Sequence, residues 1–391
     1  MTDFADDLRA AVGRMRDVGR TWLRPLGEEA DRLGRPIPPD HEFFTTLVRE
    51  GVMRRGLTPG GSERRTVRNV VVGEEGAYWD RGALVTLPGP GLGGPPVRKM
   101  GTPEQRERFL APFRGEDRPR WAAFAMTEPG AGSDVARIAM RAERDGDEWV
   151  LNGQKMYSSN SGRADWVVVF ATVDPSAGRN GHRAFVVERD RPGFVFLRHE
   201  AKMGVRAYET SSFVLEDCRL PADNLLGGDG YYEGRANRGF GGAMETFNAT
   251  RPIVAVHAIG IARSALDHAR AYVESEYPAH ATRRHRRALE RLVEIRRGIE
   301  QGRRLCIRAA ELVDAGRPNA LEASVAKLYC PPVALAAIRT AQDVLGDAGV
   351  RRDRFLEKLT RDVKMLDIGE GTQQIQRRVI ARHVVGADVV S

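Results

Sequence analysis

Apolar residues recur at three- and four-residue steps at the start of the chain. Phe4, Leu8, Ala11, Met15, Val18 and Trp22 follow the spacing of one helix face. Ile37-Pro38-Pro39 breaks that pattern, and Phe44, Leu47 and Val48 carry a second stripe within His41 to Gly51. Thr102 and Gln105 around Pro103 make a capping box with proline at the first helical position, which predicts another helix start. From about Trp121 the period falls to two. Trp149 to Leu151, Trp166 to Phe170, Ala184 to Val187 and Phe194 to Leu197 are short β-type runs. Turn signals separate them at Asp145-Gly146, Asn152-Gly153, Asp174-Pro175 and Arg191-Pro192-Gly193. Strands without helices between them predict an antiparallel sandwich or barrel. After Gly227-Gly228-Asp229-Gly230 the helical period returns, over Ile253 to Ser275, Arg284 to Gly316, Ala320 to Leu345, Arg354 to Leu366 and Thr372 to Val385. Long helices with short joins read as a bundle. The expected fold class is α+β, with an N-terminal helical domain over 1–121, a middle antiparallel β domain over 122–230 and a C-terminal four-helix bundle over 231–391.

Composition narrows the setting. The 391 residues are 41% hydrophobic and 29% charged, too apolar for a disordered chain. No uninterrupted apolar run reaches the ~20 residues of a membrane helix. The acidic, amphipathic start MTDFADDLRA is not a secretory signal, and a cytoplasmic protein is expected. Three scattered cysteines and eight unpaired histidines give neither a disulfide framework nor a metal site. The formal charge is +8, and only six of the 61 basic residues are lysine. The arginines are mixed with acids along the whole chain, so nucleic acid is not the expected partner. Arg283-Arg284-His285-Arg286-Arg287 reads as a solvated helix face or as an anion or partner site.

Four segments invite chemistry. Gly89-Pro-Gly91-Leu-Gly93-Gly94 fits the dinucleotide spacing G-x-G-x-x-G, but Pro95 and Pro96 remove donors where the helix should open, so it reads as a loop. Thr127-Glu-Pro-Gly-Ala-Gly132-Ser133-Asp134 can cradle a phosphate or a flat polar ring edge, or form a turn. Asn152-Gly153 reads as a hairpin turn that delivers Tyr157, Ser158 and Ser159 onto a strand. Gly369-Glu370-Gly371-Thr372 sets a carboxylate between two glycines before a helix, suited to a general base in an apolar cleft or to a plain loop and cap.

Together, in this order, these segments resemble the acyl-CoA dehydrogenase family over nearly the whole chain. Ala125 to Asp134 looks like its flavin loop and Asn152 to Asn160 like its second flavin segment. Lys202-Met-Gly-Val-Arg206 with Leu220-Pro221 is similar to the end of its β domain. Thr250-Arg251-Pro252, Arg361-Asp362 and Gly369 to Arg377 resemble its C-terminal bundle. The resemblance implies FAD-dependent α,β-desaturation of an acyl thioester. Glu370 matches the catalytic base, which takes the α-proton while the β-hydride goes to flavin N5. Met126, Thr127, Gly132, Ser133, Tyr157, Ser158, Ser159, Thr372 and Gln374 match cofactor contacts. Ser133, Arg251, Gly369 and Gly371 match positions around the substrate.

An acyl-CoA or acyl-carrier-protein substrate, an electron-transferring flavoprotein as acceptor and a homodimer or homotetramer are implied with it. A flavin oxidase or monooxygenase, or an FAD-poor subunit of a hetero-oligomer, are the alternatives on the same fold. Three positions depart from the family pattern. Gly369 replaces the usual tyrosine or aliphatic residue before the base. Glu276 to Arg286 lacks the Arg-x-Thr/Gln-Phe-Gly motif that holds the adenosine half of FAD. Asp343-Val-Leu-Gly346-Asp347 stands where Gln-x-x-Gly-Gly is expected.

Overall fold

The computed structural model describes residues 4–51, 64–115, 117–234, 237–276, 283–351 and 355–386. The N-terminal stripe forms α1 (Phe4–Val18), a π-turn (Gly19–Leu23) and α2 (Arg24–Leu33), all in helical backbone geometry. The π-turn sits where the indole of Trp79 presses on Gly19, leaving no room for a side chain. Next come α3 (Glu42–Arg49), α4 (Arg65–Val85), α5 (Gly94–Met100) and α6 (Pro103–Leu110). The capping box on α6 forms as expected, with Gln105 N–H donating to Thr102 Oγ1 and Thr102 N–H to Gln105 Oε1.

The glycine-rich segment before α6 departs from the loop reading. A 3-10 turn at Gly91–Gly93 leads into α5, with the prolines in its first turn, where a missing N–H costs no intrahelical bond. Helix α4 precedes it and no strand enters, so the dinucleotide arrangement is absent there.

The middle part is one seven-stranded sheet: β1 (Ala122–Ala125), β2 (Arg141–Asp145), β3 (Glu148–Ser159), β4 (Trp166–Thr172), β5 (His182–Glu188), β6 (Phe194–His199) and β7 (Thr210–Pro221). The order is β1-β4-β2-β3-β7-β6, with β5 also on β4. It is not purely antiparallel, because β4 runs parallel to β1 and meets β2 in parallel at Arg141–Thr172. The β2–β3 hairpin lies between β1 and β4 in the chain and supplies the long return that a parallel pair needs. Strand β4 is buried at every position, which explains its unbroken run Trp166-Val-Val-Val-Phe170.

Asp145-Gly146 makes the expected β2–β3 turn. Asn152-Gly153 does not turn: β3 runs straight through it, with a bulge against β7 between Leu151 and Gly153. Period-two patterning continues unchanged on both sides of such a bulge, so sequence does not separate it from a tight turn.

After the short α7 (Asp229–Tyr232) the chain is helical: α8 (Arg238–Glu276), α9 (Arg283–Asp314), α10 (Ala320–Leu345), α11 (Phe355–Ile368) and α12 (Gln373–Val385). Helix α8 begins fifteen residues before the predicted Ile253 and passes through Pro252. Proline cannot donate to the carbonyl four residues back, and Asn319 Nδ2 occupies that carbonyl, Asn248 O, at 2.8 Å. The predicted start of α11 at Arg354 lies outside the described residues. Helix α10 and its extension, Ala320–Gly349, are long and apolar enough to cross a membrane by length and composition alone. Half of its most apolar window is buried, and the stretch packs against α8, α9, α11 and α12 around the buried residues Ala326, Cys330 and Ala337.

Charges inside the molecule join the three parts. Helix α4 bends at Asp80, whose backbone leaves helical geometry (φ −162°, ψ 117°). Asp80 Oδ2 accepts from Lys358 Nζ at 2.6 Å, and Lys358 also reaches Asp362 Oδ2 at 2.5 Å. Asp362 Oδ1 takes the N–H of Val205 from the β part. Glu74 and Glu75 of α4 pair with Arg263 of α8, and Glu74 also with Arg303 of α9. Three of the six lysines, 155, 327 and 358, are buried and hold internal acceptors.

Candidate active site

Helix α11 ends at Ile368, and Gly369 N–H closes the last turn on Met365 O at 2.9 Å. Glu370 then takes the left-handed conformation (φ 57°), a place usually held by glycine, and Gly371 continues it (φ 99°). Thr372 caps α12 through Oγ1, which accepts from Ile375 N–H. Glu370 is therefore presented on a tight turn between two helix ends.

Neighbouring side chains clamp that turn. Arg251 Nε donates to Glu370 O at 3.1 Å, and Gln376 Nε2 donates to Gly371 O at 3.0 Å and Glu370 O at 3.3 Å. Lys327 Nζ reaches Leu366 O at 2.5 Å and Gly371 O at 3.3 Å. The carboxylate accepts from Thr250 Oγ1 at 2.8 Å. Among the described residues nothing accepts from the Glu370 N–H. Burial raises the Glu370 pKa above the ordinary carboxylate range, opposed by the Thr250 hydrogen bond and by the charges of Arg251, Lys327 and Arg81. Burial pushes Lys327 down to about 8.

The second half of the site is on the sheet. Beyond Lys155 a second β3 bulge frees Met156 and Tyr157 from β7. Met156 N–H turns instead to Thr127 O at 2.9 Å, tying the loop after β1 to β3. Tyr157 takes φ 56° and leaves its ring 59% exposed. Below it, Lys155 Nζ donates to Met126 O at 3.1 Å and to Glu128 Oε1 at 2.6 Å. Glu128 also accepts from the N–H groups of Ala139 and Met140. This buried pair sets the shape of the loop, and burial lowers Lys155 to about 8.

The sequence-derived positions fall into distinct groups. Thr127 and Ser159 are half-buried, Met126 is buried, and Gly132, Ser133 and Gln374 are exposed. Gly130 and Gly132 face open space, and nothing among the described residues accepts from the N–H groups of Gly132 and Ser133. Ser158 departs from the expected cofactor contact: it is 2% exposed and its Oγ donates to Phe124 O, so it braces β1. Arg251 is engaged by Glu370 O and Asn248 Oδ1, which makes it a positioning residue for the turn. Gly369 adjoins Met365, whose Sδ lies 3.1 Å from where a Cβ would stand.

Sequence reasoning assigned no role to Glu128, Lys155, Lys327, Gln376 or Arg81. Lys327 had one legible signal, a lone lysine in an apolar helical stretch. A separate cleft of about 520 Å³ lies between α6 and the β4–β5 side of the sheet, against Phe109, Phe113 and Trp166, and contains no residue of this site.

Three family descriptions match in order: the acyl-CoA dehydrogenase N-terminal domain over residues 5–116, the middle domain over 123–218 and the C-terminal domain over 237–385. The chain is 32% identical to cyclohex-1-ene-1-carbonyl-CoA dehydrogenase of Geobacter metallireducens, over 98% of this chain and 99% of that one. The chain belongs to the acyl-CoA dehydrogenase family. Its fold superposes on butyryl-CoA dehydrogenase of Megasphaera elsdenii with a TM-score of 0.87 and 29% identity, covering 98% of this chain and all of that one. A chain in the structural study of the electron transferring flavoprotein of Acidaminococcus fermentans matches equally well, with a TM-score of 0.87, 30% identity and 98% and 99% coverage.

Acyl-CoA dehydrogenases are FAD-dependent oxidoreductases that act on a CH–CH bond. The residues present fit the flavin and pyrophosphate part of that cofactor. An exposed aromatic ring stands on a strained bulge, and free N–H groups line an open glycine loop beside it. The adenosine half is different. Residues 277–282 of the missing Arg-x-Thr/Gln-Phe-Gly segment lie outside the described residues. Asp343 is taken by Arg291 at 2.5 Å. Arg283, Arg286 and Arg287 are exposed at the start of α9.

Proposed function

We propose that this acyl-CoA dehydrogenase uses Glu370 as the base that removes the α-proton of an acyl-CoA thioester. The carrying observation is the Glu370 turn, which joins a carboxylate held by Thr250 to a backbone N–H with no acceptor among the described residues. The carboxylate takes the proton, and the N–H is free to donate to the thioester oxygen as enolate charge develops. Bound FAD supplies the hydride acceptor. Met126, Thr127 and Ser159 would hold its ring, Tyr157 would pack against it, Gly132 and Ser133 would meet the pyrophosphate, and Thr372 and Gln374 would reach it from the bundle. Ser133, Gly369 and Gly371 would line the thioester's path.

CoA is the carrier supported by the similarity to cyclohex-1-ene-1-carbonyl-CoA dehydrogenase, ahead of an acyl carrier protein. An electron-transferring flavoprotein is the proposed acceptor, supported by the fold match in the study of such a protein. A homodimer or homotetramer is supported by exposed apolar residues on the bundle, Leu289 and Val293 of α9 and Val384 and Val385 of α12. We place the protein in the cytoplasm and divide it at 1–121, 122–230 and 231–391.

The purified protein should be yellow, and its flavin should bleach anaerobically with an acyl-CoA. Glu370→Gln should keep the colour and slow bleaching about 1,000-fold, within the 10²–10⁴ typical of losing a general base. A variant that bleaches at the wild-type rate would sink the base assignment.

A further inference from the structure

Arg81 is a buried cation with two donors that find no acceptor among the described residues. It follows the bend of α4 at Asp80 and is 6% exposed, and its Nε and Nη1 donate to nothing among the described residues. The acids around it are committed elsewhere. Asp80 holds Ala83 N–H and Lys358, and Asp362 holds Val205 N–H and Lys358. Glu370 holds Thr250. The guanidinium lies 5.7 Å from the centre of the Tyr208 ring, which gives it an aromatic wall and no hydrogen bond. Its charge is felt at Glu370 and at His257, and His257 Nδ1 is itself buried and unpartnered.

Three cations act on Glu370, namely Arg251, Lys327 and Arg81. Arg251 and Lys327 are satisfied by carbonyl and amide oxygens. Arg81 alone is left with free donors. A buried guanidinium normally has an anion or acceptors, because desolvating it without them is costly. These donors are available to a group that enters from outside the chain, near the base.

We propose that Arg81 selects an acyl group carrying a carboxylate at its far end, the α,ω-dicarboxylyl thioesters. The proposal rests on the reading of Glu370 as the base, since that fixes where the reacting carbons lie. A carboxylate there would neutralise the surplus positive charge and accept from Nε or Nη1. A plain alkyl end would leave both donors desolvated and unpaired.

The test uses the FAD-loaded full chain with matched pairs: succinyl-, glutaryl- and adipyl-CoA against butyryl-, valeryl- and hexanoyl-CoA. Flavin bleaching gives kcat/KM, and calorimetry with the Glu370→Gln variant gives Kd without turnover. The wild type should prefer at least one carboxylated member of its pair. Arg81→Met should lower the carboxylated-to-plain ratio about 10- to 100-fold, the worth of a charge-assisted hydrogen bond, and Arg81→Lys should restore part of it. An equal or reversed wild-type preference overturns the proposal, and this comparison stands if Arg81→Met does not fold. Loss of flavin colour in Arg81→Met also overturns it, by assigning the free donors to the cofactor. Bleaching by none of the six thioesters would instead count against the dehydrogenase reading itself.

Discussion

Thr250 Oγ1 and Glu370 Oε2 lie 2.8 Å apart although 120 residues separate them in sequence. The hydroxyl donates, so it favours the ionised carboxylate against the burial that disfavours it. Activity needs the deprotonated base, so kcat/KM should rise with pH through a Glu370 pKa lying above the ordinary carboxylate range. Thr250→Val removes a stabiliser of the anion and should move that acid limb to higher pH. Below the limb, kcat/KM should fall about tenfold or more, with recovery at higher pH. Thr250→Ser should restore the wild-type profile. An unmoved limb in Thr250→Val would show that the hydroxyl does not act on the base.

Lys155 and Glu128 are a buried pair beneath the glycine loop. Lys155→Met leaves a carboxylate buried without its cation and should cost about 3–5 kcal/mol of stability, read by urea unfolding. FAD should dissociate more readily, because the pair also fixes Met126 O and the Ala139 and Met140 N–H groups. Combining Lys155→Met with Glu128→Gln should recover part of the stability, and strict additivity of the two losses would contradict the pairing.

The two glycines around the base have different duties. Gly371 has φ 99° and the Gln376 amide overlies the position of a Cβ, so Gly371→Ala should cost about 1–3 kcal/mol and displace the turn. Gly369 has an ordinary φ, and a Cβ there would crowd the movable Met365 Sδ and meet Met365 O at an ordinary contact distance. Gly369→Ala should keep both stability and bleaching rate near wild type. Unfolding midpoints and stopped-flow bleaching of the two variants check the contrast; equal effects would refute it.

The local features were legible and the long-range ones were not. Glu370 stands out because its glycines and the Thr372 cap are adjacent in sequence. The helix periods survive in the structure because each amphipathic face is a local pattern. Asn152-Gly153 misleads because a turn and a bulge share the same dipeptide, and only the partner strand β7 decides between them. Pro252 reads as a helix boundary until Asn319, from the join before α10, takes the carbonyl it leaves free. Ser158 reads as an available hydroxyl until its bond to Phe124 O is seen. Arg81 is one of many arginines in sequence, and only its place in the structure, with free donors and a charge that acts on Glu370, sets it apart.

Asp362 lies eight residues before Glu370, on the helix that delivers the base. Its carboxylate is completed by a backbone N–H from the β part, and its lysine by Asp80 of α4. A chain that folded only its bundle would keep the Lys358–Asp362 pair but lose the Asp80 carboxylate and the Val205 N–H that complete it beside the emerging turn. The wiring therefore acts as an assembly check: the base is set in place when all three parts have docked, and no excised piece of the sequence should work as a catalyst by itself.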